Sequence, residues 1–170
     1  MKNLIFLLIL VTFSNAICQE RNADEIKPIR DNFKRINAKK DWKKVDTLNL
    51  IDGDSQTIFY YSKNGLEKLI HTNFGESGKS ITEYYLLKSK LSFVSEREFR
   101  YNYPAMTKEY DPKKTNVEHT KYYFENGNIF DVVSDQDCGS PFASDFVTAE
   151  SKRLNEEFER IVKLKDDTKK

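Results

Sequence analysis

Cys138, in the stretch DQDCGSPF, is the side chain best suited to nucleophilic chemistry. A thiolate nucleophile needs a base within hydrogen-bond reach and donors for the oxyanion it creates. The chain offers two histidines, His71 and His119, both in segments that alternate like strands. Neither is near Cys138 in sequence, and no papain-type signature surrounds the thiol. A small extracytoplasmic hydrolase is therefore an alternative that rests on Cys138 alone. Metal chemistry has little more to use. Asp52-Gly53-Asp54 and Asp135-Gln136-Asp137 are short acidic pairs, whereas calcium takes roughly six to eight oxygens. Two scattered histidines lack the close ligand spacing of a zinc site. Glu83, Glu96 and Glu98 fall in predicted strands and match no fixed pattern; among 27 acidic residues, glycosidase-like pairs arise by chance. P-loop, GxGxxG, GxSxG and HExxH motifs are absent, and no cofactor is implied.

A second constellation is aromatic. YYSKNGLEK from Tyr60, YYLLKSKLS from Tyr84 and YYFENGNIF from Tyr122 each carry two tyrosines followed by a turn. Adjacent strand residues point to opposite faces. The leading rings Tyr60, Tyr84 and Tyr122 are expected in the core, and Tyr61, Tyr85 and Tyr123 on a solvated face. With two-residue turns, Tyr60 is expected across from Leu69, Tyr84 from Phe93, Leu86 from Leu91 and Phe124 from Ile129. Tyr61 is expected across from Lys68, Tyr85 from Ser92 and Tyr123 from Phe130. Tyrosines give large contact area at small entropic cost. The candidate ligand-binding residues are therefore Tyr61, Tyr85 and Tyr123, with Lys68 and Lys121 at their margin. Cross-strand stabilisation by the same rings is the plainer reading.

The elements that would hold these rings follow from periodicity. Ile26, Ile29, Phe33 and Ile36 recur at helical spacing, which predicts a helix over 23–38. From Trp42 the period changes to two, and strands are expected near 44–51, 56–62, 66–74, 80–87, 91–102, 117–125 and 129–134. Asn64-Gly65 and Asn126-Gly127 are strong hairpin signals, because both central residues of a type I′ turn need positive φ. Lys88-Ser89 occupies the matching place in the middle hairpin. Residues 103–116, with Pro104 and Pro112, read as a surface loop. Leu154, Phe158 and Ile161 predict a last helix capped at Thr148. Short links force antiparallel neighbours. The expected fold is α+β: an antiparallel meander of about seven strands with an N-terminal and a C-terminal helix packed on one face.

The paired tyrosines and Asn-Gly turns over residues 57–134 resemble the hairpin repeats of bacterial YwqK-like and MORN-type proteins. The overall plan is similar to small exported bacterial proteins of unassigned function. The resemblance implies a sheet of hairpins and no particular chemistry.

The first residues bear on compartment. Lys2 precedes an apolar run from Leu4 to Phe13, too short to span a bilayer comfortably, and Ser14, Asn15 and Ala16 follow. Residues 1–18 are expected to be a cleaved secretory signal and 19–170 a single domain, periplasmic or secreted. A cut after Ala16 would leave Cys18 free to bridge Cys138; a cut before Gln19 leaves Cys138 as a lone thiol. Lipidation of Cys18 is a lesser alternative, because Ile17 and Asn15 fit a lipobox poorly, and only it would bring in a membrane. Among charged residues, removal of 1–18 takes away Lys2 alone, which leaves 27 basic and 27 acidic side chains. Such a balance gives no reason to expect nucleic acid as a partner. KRINAKKDWKK, from Lys34 to Lys44, is the one basic run. The expected function is an exported, non-catalytic binding module for an unidentified protein or glycan of the cell envelope. Besides the hydrolase, an inhibitor of a secreted hydrolase acting through the 103–116 loop is an alternative.

Overall fold

The structure, a computed structural model, describes residues 23–49, 54–136 and 142–168. Helix α1 (Ala23–Ala38) precedes seven strands: β1 (Lys44–Asn49), β2 (Ser55–Ser62), β3 (Gly65–Gly75), β4 (Gly78–Leu87), β5 (Lys90–Arg100), β6 (Asn116–Glu125) and β7 (Asn128–Ser134). Helix α2 (Ser144–Asp167) closes the chain. The strands form one antiparallel sheet in sequence order, β1 to β7. The α+β meander expected from periodicity is present, with both terminal helices. Helix α2 starts before Thr148, whose hydroxyl donates to the Ser144 carbonyl inside the first turn.

The hairpins explain the register. Lys88, Ser89, Asn126 and Gly127 all have positive φ, so the second and third hairpins turn as type I′. In the first, only Gly65 is left-handed, at φ 108°, and Ser62 pairs with Gly65. That turn is centred on Lys63-Asn64, one residue earlier than expected, and Ser62 Oγ accepts a hydrogen bond from Asn64 N. Gly65 serves as the left-handed residue of a bulge rather than as the second turn residue. Each of the three tyrosine hairpins then carries a register shift, at Tyr60/Tyr61, Tyr85/Leu86 and Tyr123/Phe124. Leu86–Leu91 and Phe124–Ile129, on the turn side of the shift, pair as expected. Beyond it, Tyr60 faces Lys68, Tyr84 faces Val94, Tyr85 faces Phe93 and Tyr123 faces Asp131. Tyr61 pairs with Leu66.

The helices lie on opposite faces of the sheet, which corrects the expectation of one covered face. Leu154 and Ile161 of α2 pack on Phe59, Leu69, Tyr84, Val94 and Tyr122. Ile26, Ile29 and Ile36 of α1, with Phe33, pack on Tyr85, Phe93 and Tyr123. The physical reason lies in the doublets themselves. Two adjacent rings put roughly equal apolar area on both faces, and each face needs a covering layer. Burying one such side chain stabilises by roughly 1.5–3 kcal/mol. Asn32 Nδ2 of α1 donates to the Leu86 carbonyl, at the shifted position of β4.

The sheet margins differ. At β7, the Ser151 hydroxyl of α2 accepts from Ile129 N, and Asn155 Nδ2 donates to the Gly127 carbonyl. At β1, Val45 is exposed and the strand's outer side lies along a cleft.

Candidate functional site

The five sequence-derived candidates do not form one exposed surface. Tyr85 is 1% exposed and Tyr123 5%, both beneath α1. Phe33 sits 5.0 Å from Tyr85, ring centroid to centroid. Tyr61 is half-buried on the other face, against the α2 cluster. The one-residue slip of the first hairpin puts it there, so Tyr60, not Tyr61, shares a face with Tyr85 and Tyr123. Trp42 covers Tyr60 at 5.3 Å. The expectation of a solvated tyrosine face is thus corrected: α1 occupies it.

Lys68 is buried in a polar knot at the end of α1. Its Nζ lies 2.8 Å from Glu83 Oε2 and donates to Asn37 Oδ1 at 3.0 Å. Arg97 Nη2 reaches Glu83 Oε1 at 2.7 Å, and the Tyr85 hydroxyl is within hydrogen-bond reach of both Glu83 and Asn37. Burial pushes the Glu83 carboxyl up, but hydrogen bonds from Lys68 and Tyr85 and the charges of Lys68 and Arg97 outweigh it. Glu83 is held below its ordinary value. Burial, then Glu83 beside it, pushes the Tyr85 phenol up. Lys121 is half-buried, paired with Ser95 in the ladder.

The possible catalytic groups are dispersed. Ser95 Oγ lies 2.8 Å from His119 Nε2 on the α1 side. Ser95 is mid-strand with β4 and β6 hydrogen-bonded on either side, so the ladder uses the amides that an oxyanion would need. Thr57 Oγ1 lies 2.8 Å from His71 Nδ1 on the α2 side. Burial above all lowers the pKa of both histidines, and at His119 the Lys121 charge adds to it. Glu83 and Glu96 are on opposite faces, and Glu96 is tied 2.9 Å from Arg153 Nη2. No group of three or more metal-ligating side chains occurs among the described residues. Cys18, Cys138, Asp52, Gly53 and Asp137 lie outside the described residues.

The loop between β5 and β6 is built differently from an ordinary connection. Tyr101 N donates to Ser77 O and Ala105 N to Glu76 O, each at 2.9 Å, which fastens the loop to the β3–β4 turn. Thr107 donates to the Pro104 carbonyl through both N and Oγ1, closing one turn, and Tyr110 N to Thr107 O closes the next. Asn102 clamps the base: Oδ1 accepts from Asp111 N at 3.0 Å and Nδ2 donates to Glu109 O at 3.2 Å. The rings of Tyr101 and Tyr110 are 5.0 Å apart. Asp111 Oδ1 caps a 3-10 turn, Pro112–Lys114, by accepting from Lys113 N.

At the tip, Met106 is 96% exposed, and Tyr103 beside it is also exposed. The last-but-one cross-strand row of the sheet at that end runs Phe74, Lys79, Phe99, Val117. Phe74 is 49% exposed, Val117 is exposed, and Lys79 Nζ sits 4.9 Å over the Phe99 ring. Apolar side chains are thus offered to solvent from a tethered loop and the adjoining sheet end. The sequence marks Pro104 and Pro112 but not the brace. The signal is the mirrored pairs Tyr101/Tyr110 and Asn102/Asp111, whose pairing shows only in three dimensions.

No helix among the described residues is long and apolar enough to cross a membrane. Comparison with protein-family models, curated proteins and solved structures returns no match to this chain.

Proposed function

We propose that this protein is an exported, non-catalytic binding module that engages a protein partner through the β5–β6 loop. One observation carries the reading: Met106 stands almost wholly in solvent on a loop braced at base, middle and flank. Leaving a methionine in water gains nothing for folding. A braced loop loses little entropy on docking, so more of its contact energy appears as affinity. Methionine suits such a contact, since its soft thioether fits irregular apolar sockets. Export is supported by the composition of residues 1–18. A protein socket fits this tip better than a glycan, because the sheet tyrosines that would stack on sugars are covered, Tyr85 and Tyr123 by α1 and Tyr61 in part by the α2 cluster.

The inhibitor of a secreted hydrolase is a narrower form of the same reading. Two successive turns fold the loop into a blunt knob, which suits blocking the mouth of a cleft rather than lying extended in it. The thiol hydrolase rests on the presence of Cys138 in the sequence and on no feature of the described residues.

The test is photo-crosslinking from position 106 in the native envelope, with position 152 on the outer side of α2 as control. A partner captured from 106 alone is expected, with affinity about 30-fold lower for Met106→Ser and near wild type for Met106→Leu. Equal capture from both positions, or no effect of Met106→Ser, overturns the reading.

A further inference from the structure

A second built site lies on the other side of the molecule, where α2 ends against β1 and β2. The Lys165 ammonium is buried there, 2.6 Å from Asp46 Oδ2 and hydrogen-bonded to the Tyr61 hydroxyl at 2.5 Å. The same nitrogen is 4.1 Å from the ring centroids of both Phe59 and Tyr61. Two ring faces, a carboxylate and a hydroxyl around one nitrogen are the chemistry of ammonium recognition.

We propose that Asp46, Phe59 and Tyr61 form a receptor for a primary alkylammonium, which the chain fills in cis with Lys165. Three features separate this from a simple helix anchor. Every recognising group comes from β1 and β2, where the ladder fixes Asp46 opposite Phe59, while Leu154 and Ile161 of α2 pack beside the cage without contributing a recognising atom. The occupant, by contrast, sits two residues from the end of a helix, where local opening is easiest. The cage also borders a cleft of about 380 Å³ along Lys44–Leu48, closed at one side by Lys165 and Thr168. Two acceptors at hydrogen-bonding distance select a head group that carries N–H donors, not a quaternary ammonium. Lys44 Nζ, 2.8 Å from the same Asp46 oxygen and 6.0 Å from the Tyr61 ring, waits at the rim as a competitor.

The experiment is chemical rescue in the full chain. Lys165→Ala is expected to lower Tm by about 5 °C. n-Butylammonium chloride at millimolar concentration is expected to restore at least half of that, saturably, and to leave the wild type unmoved. Lys44→Ala/Lys165→Ala, which removes the internal competitor, is expected to be rescued at lower concentration. Adding Asp46→Asn is expected to abolish rescue. Should Lys165→Ala be unfolded, the same titration reads recovery of the folded circular dichroism signal. Rescue by butylammonium alone assigns the cage to small amines; rescue also by the peptide Ac-Gly-Lys-Gly-NH2 assigns it to lysine tips. Rescue no greater than that given by equimolar sodium or tetramethylammonium chloride, or an equal shift in the wild type, overturns the proposal.

Discussion

Tyr84 and Tyr85 are neighbours on β4 and are buried on opposite sides of the same sheet. The Tyr84 hydroxyl donates to Glu157 of α2, while Tyr85 packs on Phe33 of α1, with its hydroxyl 3.1 Å from Asn37 Oδ1 near the end of that helix. One dipeptide therefore joins all three layers.

Removing the inner ring should show this. Tyr85→Ala is expected to cost about 3–5 kcal/mol, as a large core ring deleted with incomplete collapse. Tyr85→Phe keeps the ring but leaves Glu83 and Asn37 without its hydroxyl, at about 1–2 kcal/mol. Urea denaturation checks both. A loss below about 1 kcal/mol for Tyr85→Ala would mean that α1 is not seated on this face.

Glu83 holds two cations, Lys68, which water barely reaches, and the more exposed Arg97. Glu83→Gln leaves Lys68 and Arg97 without their carboxylate and is expected to cost about 3 kcal/mol. The double variant Glu83→Gln/Lys68→Met should recover part of that, because the buried charge goes with its partner. Strict additivity of the two single changes would show that the groups are not coupled.

The histidines set the response to mild acid. His71 and His119 both have pKa values lowered in the fold from an ordinary value of 6.5. The unfolded chain therefore binds protons first, and stability is full above about pH 6.5 and falls as pH drops below it. His71→Gln should flatten the slope between pH 6.5 and 5. Among the carboxylates with lowered pKa, Asp46, Glu67 and Glu83 add their loss only as pH falls further, through their folded values. Denaturation midpoints across this range measure both phases, and an unchanged slope in His71→Gln would refute the assignment.

The middle hairpin carries removable strain. Lys88 and Ser89 hold φ of 53° and 63° without glycine's freedom. Replacing them by the Asn-Gly of the third hairpin is expected to stabilise by about 1 kcal/mol. The same change at Lys63-Asn64 should destabilise, since neither residue there has positive φ. Thermal melts of the two variants distinguish the turn types.

Much of this fold is legible in the sequence, because period and turn chemistry are local. The β4 and β6 strands end where Lys88-Ser89 and Asn126-Gly127 place them. Asn64-Gly65 misleads because two turn geometries both want glycine there, and a shift of one residue exchanges the faces of Tyr60 and Tyr61. The three register shifts leave no mark in composition. The helix faces are not legible either: Ile26, Ile29 and Ile36 declare an apolar stripe but not which side of the sheet receives it. The brace of the β5–β6 loop depends on Asn102 meeting Glu109 and Asp111, a contact that exists only once the loop is closed.

The unequal treatment of the two sheet margins limits how copies of this chain can associate. Growth of a filament by adding strands needs the margin of one molecule to seat on the opposite margin of the next. Ser151 and Asn155 of α2 stand against one of those margins, so head-to-tail addition would have to displace a helix. Among the described residues no helix side chain hydrogen-bonds to the β1 backbone, and pairing of β1 with β1 would be self-terminating: two molecules satisfy it and no third can join.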